Sequence, residues 1–176
     1  EAAFTLKATQ QTAVQLKDKH GLESVSTRRY RVDALEDKLP VVSLVEPAVD
    51  EAVLPQAVVA MRAIARDDVG LTHLTINVQR SGDEMATELT RVEQRQARIK
   101  SSATLDLATL ELTPGDELRL TAIGQDVFEL DGVRHEPVVS VPRTLWIIDE
   151  ATLVGQIRDE LAGLRQQAIR LADRQE

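Results

Sequence analysis

The stretch His73-Leu74-Thr75-Ile76-Asn77-Val78-Gln79 alternates apolar and polar residues without a break, and it decides the fold class. Successive side chains of a β-strand point to opposite faces, so this alternation predicts a strand with one buried face. Other runs alternate in the same way or are rich in β-branched residues, and they also indicate strands: 41–45, 58–66, 97–107, 117–122 and 138–148. Residues 85–96 fit a helix as well as a strand, and their position between two clear strands favours a strand.

Turn-forming residues separate these runs. Asp67-Asp68-Val69-Gly70 lies between two of them, and Pro114-Gly115-Asp116 precedes another. Short strands with turns roughly every 10 residues are typical of a β-sandwich. The sequence therefore predicts a mainly β protein with an immunoglobulin-like β-sandwich. Only 2% of the residues are aromatic, so we expect a sandwich core of Val, Leu, Ile and Ala.

Three segments make up the predicted domain organisation. Residues 1–38 hold three strand-like runs: 4–8, 13–18 and 28–35. Because about 38 residues cannot hold an independent core, we expect these strands either to belong to an incomplete second immunoglobulin-like sandwich or to be completed by a partner. Residues 39–148 are predicted to form the complete sandwich, and residues 149–176 a C-terminal amphipathic helix.

The C-terminal segment changes to a helical period. Its apolar residues are spaced by alternating steps of four and three, which is a heptad pattern: Ile157, Leu161, Leu164, Ala168 and Leu171. Asp149 is a suitable N-cap for this helix. The predicted interaction residues are Ile157, Leu161, Leu164 and Leu171. They could either fold back over the sandwich and join its core or face a protein partner.

The composition excludes several classes of function. The chain has 21 Lys and Arg against 29 Asp and Glu, which gives a formal net charge of −8. It is not expected to bind nucleic acid, which requires clustered cations and aromatic stacking. The absence of Cys excludes thiolate catalysis, disulfides and zinc–thiolate sites. No run approaches the ~18–20 apolar residues that cross a bilayer, so no membrane span is predicted in this chain.

The sequence predicts neither an enzyme nor a cofactor. His20, His73 and His135 lack the spacing of a metal or catalytic motif, and we interpret all three as solvated surface residues. Loop carboxylates at one end of a sandwich could bind calcium, which favours about six to eight oxygen ligands. The weak metal candidates are Asp67, Asp68, Asp126 and Asp131. Because Asp is also a common turn residue, the turn-forming role is the stronger interpretation.

A series of short motifs suggests a family. The series runs Pro40-Val41-Val42-Ser43-Leu44-Val45-Glu46-Pro47, Ala63-Ile64-Ala65-Arg66-Asp67-Asp68-Val69-Gly70-Leu71, Leu105-Asp106-Leu107 and Leu110-Glu111-Leu112-Thr113-Pro114-Gly115-Asp116. Asp18-Lys19-His20-Gly21-Leu22 repeats the Asp, Gly and Leu of the second motif. In this order the motifs resemble the immunoglobulin-like repeats of large membrane-anchored bacterial envelope proteins of unknown function, in which a long helical region follows tandem sandwiches.

The resemblance implies a non-enzymatic scaffold on the periplasmic or extracytoplasmic face of a bacterial membrane. Its partners would be proteins of a larger envelope or membrane complex. The candidate contacts are the C-terminal helix and, through strand addition, the unpaired edge strands of residues 1–38. The alternative is an accessory domain that binds carbohydrate or peptide, for which a concave patch lined by Trp146 or Phe128 would be the sign. We also expect Trp146 to anchor the packing where the last strand meets the helix.

Overall fold

The computed structural model describes residues 8–24 and 28–172, without the side chains of residues 169, 171 and 172. The chain divides into two compact units, Glu1–Asp37 and Lys38–Glu176. Most of the predicted strand at 4–8 lies outside the described residues. So do the side chain of Leu171 and the last residues of the predicted helix, 173–176.

The first unit contains a two-stranded antiparallel sheet, in which β1 (Gln10–Ala13) pairs with β2 (Arg29–Val32). β2 lies within the predicted run at 28–35, whereas β1 ends where the predicted strand at 13–18 begins. None of the described side chains at 8–24 and 28–37 is buried. A two-stranded ribbon is only marginally stable alone.

A tight turn at Asp18 reverses the chain in the first unit. Asp18 Oδ1 accepts hydrogen bonds from the backbone N–H groups of His20 and Leu22, each at 2.8 Å. Gly21 has a φ of +86°, which favours Gly because it lacks a Cβ. Lys17 and Glu23 then lie opposite each other in an antiparallel bridge.

The second unit contains the remaining strands, one short 3-10 turn and one helix. In chain order they are β3 (Val41–Glu46), β4 (Glu51–Val53), β5 (Val58–Arg80), β6 (Thr87–Asp106), the 3-10 turn (Leu107–Leu110), β7 (Glu117–Asp126), β8 (Glu129–Leu130), β9 (Val133–Arg134), β10 (Val138–Val139), β11 (Arg143–Ile147) and α1 (Glu150–Ala172).

The long strands β5 and β6 belong to both layers of the sandwich. The first part of β5 pairs with β3 and with the end of β6, and its last part pairs with β7 and with the start of β6. β7 also pairs with β10 and β11, and β11 pairs in parallel with β4. One layer thus follows strands A, B and E of an immunoglobulin domain, and the other follows C′, C, F and G. The predicted mainly β, immunoglobulin-like sandwich with a C-terminal helix is confirmed.

A β-bulge within β5 stands where the sequence predicts a turn, at Asp67-Asp68-Val69-Gly70. Arg66 pairs with Arg98 and Leu71 with Gln96, so β5 advances five residues here while β6 advances two. Asp67 Oδ2 accepts hydrogen bonds from the backbone N–H of Val69 at 3.0 Å and of Gly70 at 2.6 Å. Asp and Gly suit a bulge as well as a turn. The prediction of a turn is therefore wrong: β5 bends here and continues into the other layer.

Of the other predicted strands, one is confirmed and two have different bounds in the structure. The interpretation of residues 85–96 as a strand is confirmed, because β6 begins at Thr87. The predicted run at 97–107 ends as a strand at Asp106, and a 3-10 turn follows. The predicted strand at 138–148 is divided into β10 and β11, and Pro142, which lacks a backbone N–H, lies between them.

The sandwich core is aliphatic, as the shortage of aromatic residues predicts. The largest fully buried side chains come from both layers: Met61, Leu71, Leu74, Ile76, Ile99, Leu107, Leu118, Leu120, Leu145 and Ile147. Thr75, on the face of β5 predicted to be polar, is buried as well. Its hydroxyl donates a hydrogen bond to the carbonyl of Ile123 at 3.4 Å.

Gly124 on β7 allows a close approach of the two layers. A Cβ at this position would lie 2.7 Å from Cγ2 of Val42 on β3 and 3.5 Å from the Cβ of Ala65 on β5. Val is stiff at χ1 and cannot swing its methyl group far. The position therefore favours Gly over any residue with a side chain.

Candidate functional site

The helix α1 follows β11 almost directly and is capped by Asp149. β11 ends at Ile147 and α1 begins at Glu150. Asp149 Oδ1 accepts a hydrogen bond from the backbone N–H of Thr152 at 2.7 Å, which confirms the predicted N-cap. Hydrogen bonds from the hydroxyl and the backbone N–H of Thr152 hold the pKa of Asp149 below its ordinary value.

Several described apolar side chains of α1 face solvent. Four of them form what we call the apolar stripe, and their exposed fractions run from 39% to 62%: Val154, Ile157, Leu161 and Leu164. No described side chain of α1 is buried, and only Leu153 and Gly155 are half-buried. The described part of the helix therefore does not fold back over the sandwich, and Ile157, Leu161 and Leu164 do not join its core.

A carboxylate–imidazole pair lies at the end of β7. His135 Nδ1 is 2.6 Å from Asp126 Oδ2, and the Phe128 ring stacks on the imidazole with centroids 4.1 Å apart and planes 10° apart. The Asp126 side chain is fully buried, and that of His135 is 22% exposed. The interpretation of His135 as a solvated residue is therefore wrong. The sequence pattern could not show that its loop returns to β7.

Further hydrogen bonds hold Asp126 and the neighbouring backbone in place. Asp126 Oδ1 accepts hydrogen bonds from the backbone N–H of Phe128 and from Gln125 Nε2, both at 3.2 Å. Gln125 Nε2 also donates to the carbonyl of His135 at 2.9 Å. The hydrogen bonds that join Asp126 and Gln125 to the backbone at Phe128 and His135 fasten the loop after β9 to β7.

The four calcium candidates are not brought together. Asp67 caps its own bulge, Asp126 pairs with His135, and Asp68 and Asp131 are exposed. Asp131 lies in the turn between β8 and β9 with a φ of +52°. Among the described residues, no cluster of three or more potential ligand side chains contains more than one of these four carboxylates. Of the four, Asp67 binds the backbone of its own segment, and Asp126 binds the backbone of Phe128 as well as His135.

The other two histidines, His20 and His73, differ in how far they are buried. His20 is exposed in the turn of the first unit. His73 on β5 is half-buried, and its Nδ1 lies 3.2 Å from Thr72 Oγ1. Burial, together with the nearby Arg91, lowers the pKa of His73. The interpretation of His73 as a fully solvated residue is thus only partly right.

Trp146 does not anchor the packing between the last strand and the helix, contrary to the prediction. Its side chain is 41% exposed, whereas its neighbours Leu145 and Ile147 are buried because adjacent side chains of β11 point to opposite faces. Trp146 instead lines a shallow surface hollow of about 320 Å³ together with Pro114 and Thr152. Phe128 is half-buried and stacks on His135, so Trp146 is the more exposed of the two rings.

No helix in the described part of the chain has the length and apolarity needed to cross a membrane. The sequence matches no protein-family model and no curated protein. Among solved structures, it is similar to the fibronectin(III)-like modules of Clostridium thermocellum CbhA, with 14% identity over 69% of this chain and a TM-score of 0.33. The match spans 55% of that solved chain. At this distance the likeness carries no argument, and the fold assignment rests on the strand order.

Proposed function

We propose that this chain is a non-enzymatic structural and interaction module, in which the sandwich is a rigid support and α1 presents a surface for another protein. The observation that carries the proposal is the exposure of the apolar stripe. Burying one such side chain is worth about 1.5–3 kcal/mol. A contiguous row of them left in water is typical of an interaction site.

The sandwich positions this surface. Ile148 donates its backbone N–H to the carbonyl of Val53 at 2.9 Å, so the chain remains hydrogen-bonded to β4 up to the residue before the cap. Asp149 then starts α1 without an intervening loop. A short, hydrogen-bonded connection fixes the direction in which α1 leaves the sandwich. A module that holds a partner at a set position requires this.

A second contact surface in this proposal is the free edge of β6. Among the described strands, β6 pairs only with β5, which leaves its other side open along its 20 residues. Exposed charges such as Arg91, Glu93 and Arg95 lie along this strand. Charged edges discourage indiscriminate strand pairing. We therefore assign β6 a selective contact and α1 the main one.

The cellular setting belongs to the same proposal. We place the module in a larger membrane-associated assembly, on the periplasmic or extracytoplasmic face of a bacterial membrane, as a subunit or as part of a longer protein. Support comes from the resemblance of its motifs to the immunoglobulin-like repeats of bacterial envelope proteins. The net charge of −8 suits protein partners rather than nucleic acid.

Photo-crosslinking in the cells that make the protein tests the interaction role. A benzophenone amino acid replaces Leu161 in the apolar stripe, and the matched control carries it at Gln166, which is exposed outside the heptad row. We expect protein adducts from position 161 and none from position 166. No adduct at position 161, or equal adducts at both positions, would contradict the proposal.

The alternative function, an accessory domain for carbohydrate or peptide, is supported by the hollow beside Trp146. Trp146 is the one Trp of the chain, so its fluorescence reports directly on this hollow. Titration with oligosaccharides and with short peptides should shift the emission if a ligand stacks on the ring. An unchanged spectrum across both panels would count against this alternative.

A further inference from the structure

We infer that the partner of the apolar stripe is α1 of a second copy of this chain, aligned in parallel and in register. This inference rests on the proposed function, because it names the occupant of the same surface. Two observations on α1 carry it: the heptad spacing of the stripe and the order of the charges that flank it.

The apolar stripe has the spacing of a coiled-coil seam. In a heptad written abcdefg, Val154 and Leu161 fall at a positions, and Ile157 and Leu164 fall at d positions. All four side chains are exposed along one side of α1. Side chains at a and d insert between residues of a facing helix. The stripe therefore matches a helix of the same periodicity, which a second copy supplies.

Charged residues flank this seam at the positions that select a partner helix. Glu160 lies at a g position, and Arg158 and Arg165 lie at e positions. All three are exposed, and none has an ion-pair partner within the described part of the chain. In a parallel pair in register, each g residue faces the e residue of the next heptad in the other helix. Glu160 of each copy then faces Arg165 of the other, and both pairs are attractive.

The same residues disfavour the antiparallel arrangement. In that arrangement, e positions face e positions. Arg158 and Arg165 of one helix would lie beside the corresponding arginines of the other. Like charges placed opposite each other are a common device for rejecting a wrong pairing. The charge pattern thus selects a parallel pair, which brings the two sandwiches to the same end.

Two glycines weaken α1 as an isolated helix, so the helix should become more ordered when it dimerises. Gly155 and Gly163 occupy b and c positions outside the seam, and a Cβ at either would meet nothing within 4 Å. Gly lowers helix propensity, and most helical stability in proteins comes from packing of an apolar face rather than from propensity. Because α1 lacks cover from its own sandwich, it gains order when a second helix covers the stripe. We therefore expect a weak dimer that depends on concentration.

Sedimentation equilibrium of the full chain tests the pairing, at concentrations from about 1 to 200 µM, which cover weak complexes. The apparent mass should rise from that of one chain towards that of two. Leu161→Asp should hold the mass at one chain, and the exposed control Gln166→Asp should leave dimerisation unchanged. Retention of the β-sheet circular dichroism signal in both variants shows that they are folded.

Charge reversal distinguishes the parallel pair from the antiparallel one. Glu160→Arg and Arg165→Glu should each weaken dimerisation about three- to tenfold, the scale of two exposed ion pairs. The double variant should restore most of the wild-type affinity, because the charges are exchanged across the same contact. In an antiparallel pair, Arg165→Glu alone would instead strengthen association.

Failure of the inference and failure of the proposed function give different results. A wild-type chain that stays monomeric at every concentration, while position 161 crosslinks to another protein, overturns self-pairing and leaves the interaction role. Flotation of the chain with anionic lipid vesicles that is lost in Leu161→Asp, without dimerisation, also overturns it. A monomer without crosslinks overturns both.

Discussion

Leu118 and Leu120 on β7 and Leu161 and Leu164 on α1 are the same residue type at regular spacing. The first two are at most 1% exposed, and the last two are 60% and 62% exposed. β7 belongs to a sheet that another layer of the same chain covers, whereas nothing in the described part of the chain buries a described side chain of α1. Spacing determines which side chains share a face, but the topology of the chain determines what covers that face.

The largest expected effect comes from removing buried apolar atoms. Leu120→Ala should lower the free energy of unfolding by about 2–5 kcal/mol, because it leaves a cavity in a packed core. Leu161→Ala should change it by no more than about 0.5 kcal/mol, as expected of a surface position. Urea denaturation of dilute protein, followed by Trp146 fluorescence, measures both values. Equal losses would show that α1 packs on the sandwich.

The two regions also contain carboxylates in different roles. Asp126→Ala should lower the free energy of unfolding by about 2–3 kcal/mol, because it leaves the N–H of Phe128 and the ring of His135 without their buried acceptor. Asp149→Ala removes an exposed N-cap and should reduce only the helical content of α1. Urea denaturation reports the first effect and far-ultraviolet circular dichroism the second. A helix-only effect of Asp126→Ala would contradict this assignment.

Replacing Gly by Ala should destabilise the sandwich but stabilise the helix. Gly124→Ala should lower the free energy of unfolding by about 1–3 kcal/mol, since its Cβ would lie 2.7 Å from Cγ2 of Val42. Gly163→Ala meets open space and should increase the helicity of α1, with a gain of about 1 kcal/mol in local helix stability. Destabilisation by both substitutions would indicate that α1 is already covered.

Acid should act on both regions through carboxylates with lowered pKa values. The Thr113 backbone N–H, followed by the Arg80 guanidinium, lowers the pKa of Asp116 from 3.8, and Thr152 does the same for Asp149. A carboxyl with a lowered pKa contributes stability above its unfolded value and loses it as the pH falls through the folded value.

Below a pH of about 4, sandwich stability should therefore fall with the protonation of Asp116, and helicity with that of Asp149. In Asp116→Asn, the free energy of unfolding should fall less steeply below pH ~4 than in the wild type. The pH dependence of the helical circular dichroism signal should be unchanged. Denaturation at a series of pH values measures the first and circular dichroism the second. If the free energy of unfolding of Asp116→Asn fell with acid as steeply as that of the wild type, the role given to Asp116 would be contradicted.

Local features of the fold could be predicted from the sequence. The alternation at 73–79 placed Leu74 and Ile76 in the core, and the change to a heptad period at the C-terminus predicted the helix and its cap at Asp149. These features depend on residues close in the chain, where periodicity and capping chemistry act directly. The aliphatic core also followed from the composition.

Features that depend on the path of the chain could not be predicted. The bulge at 67–70 uses the same Asp and Gly as a turn, so only the pairing of β5 with both layers distinguishes them. The pairing of His135 with Asp126 needs the loop after β9 to return to β7. The exposure of Trp146 depends on which face of β11 the other layer covers.

The central claim is that the apolar stripe of α1 is uncovered within a single chain and available to a partner. Hydrogen–deuterium exchange on the dilute full chain measures this most directly, with β7 as the internal reference. We expect the amides of α1 to exchange far faster than those of β7 at the lowest concentration, and to gain protection when the stripe is occupied. Protection of α1 equal to that of β7 in the dilute monomer would contradict the account.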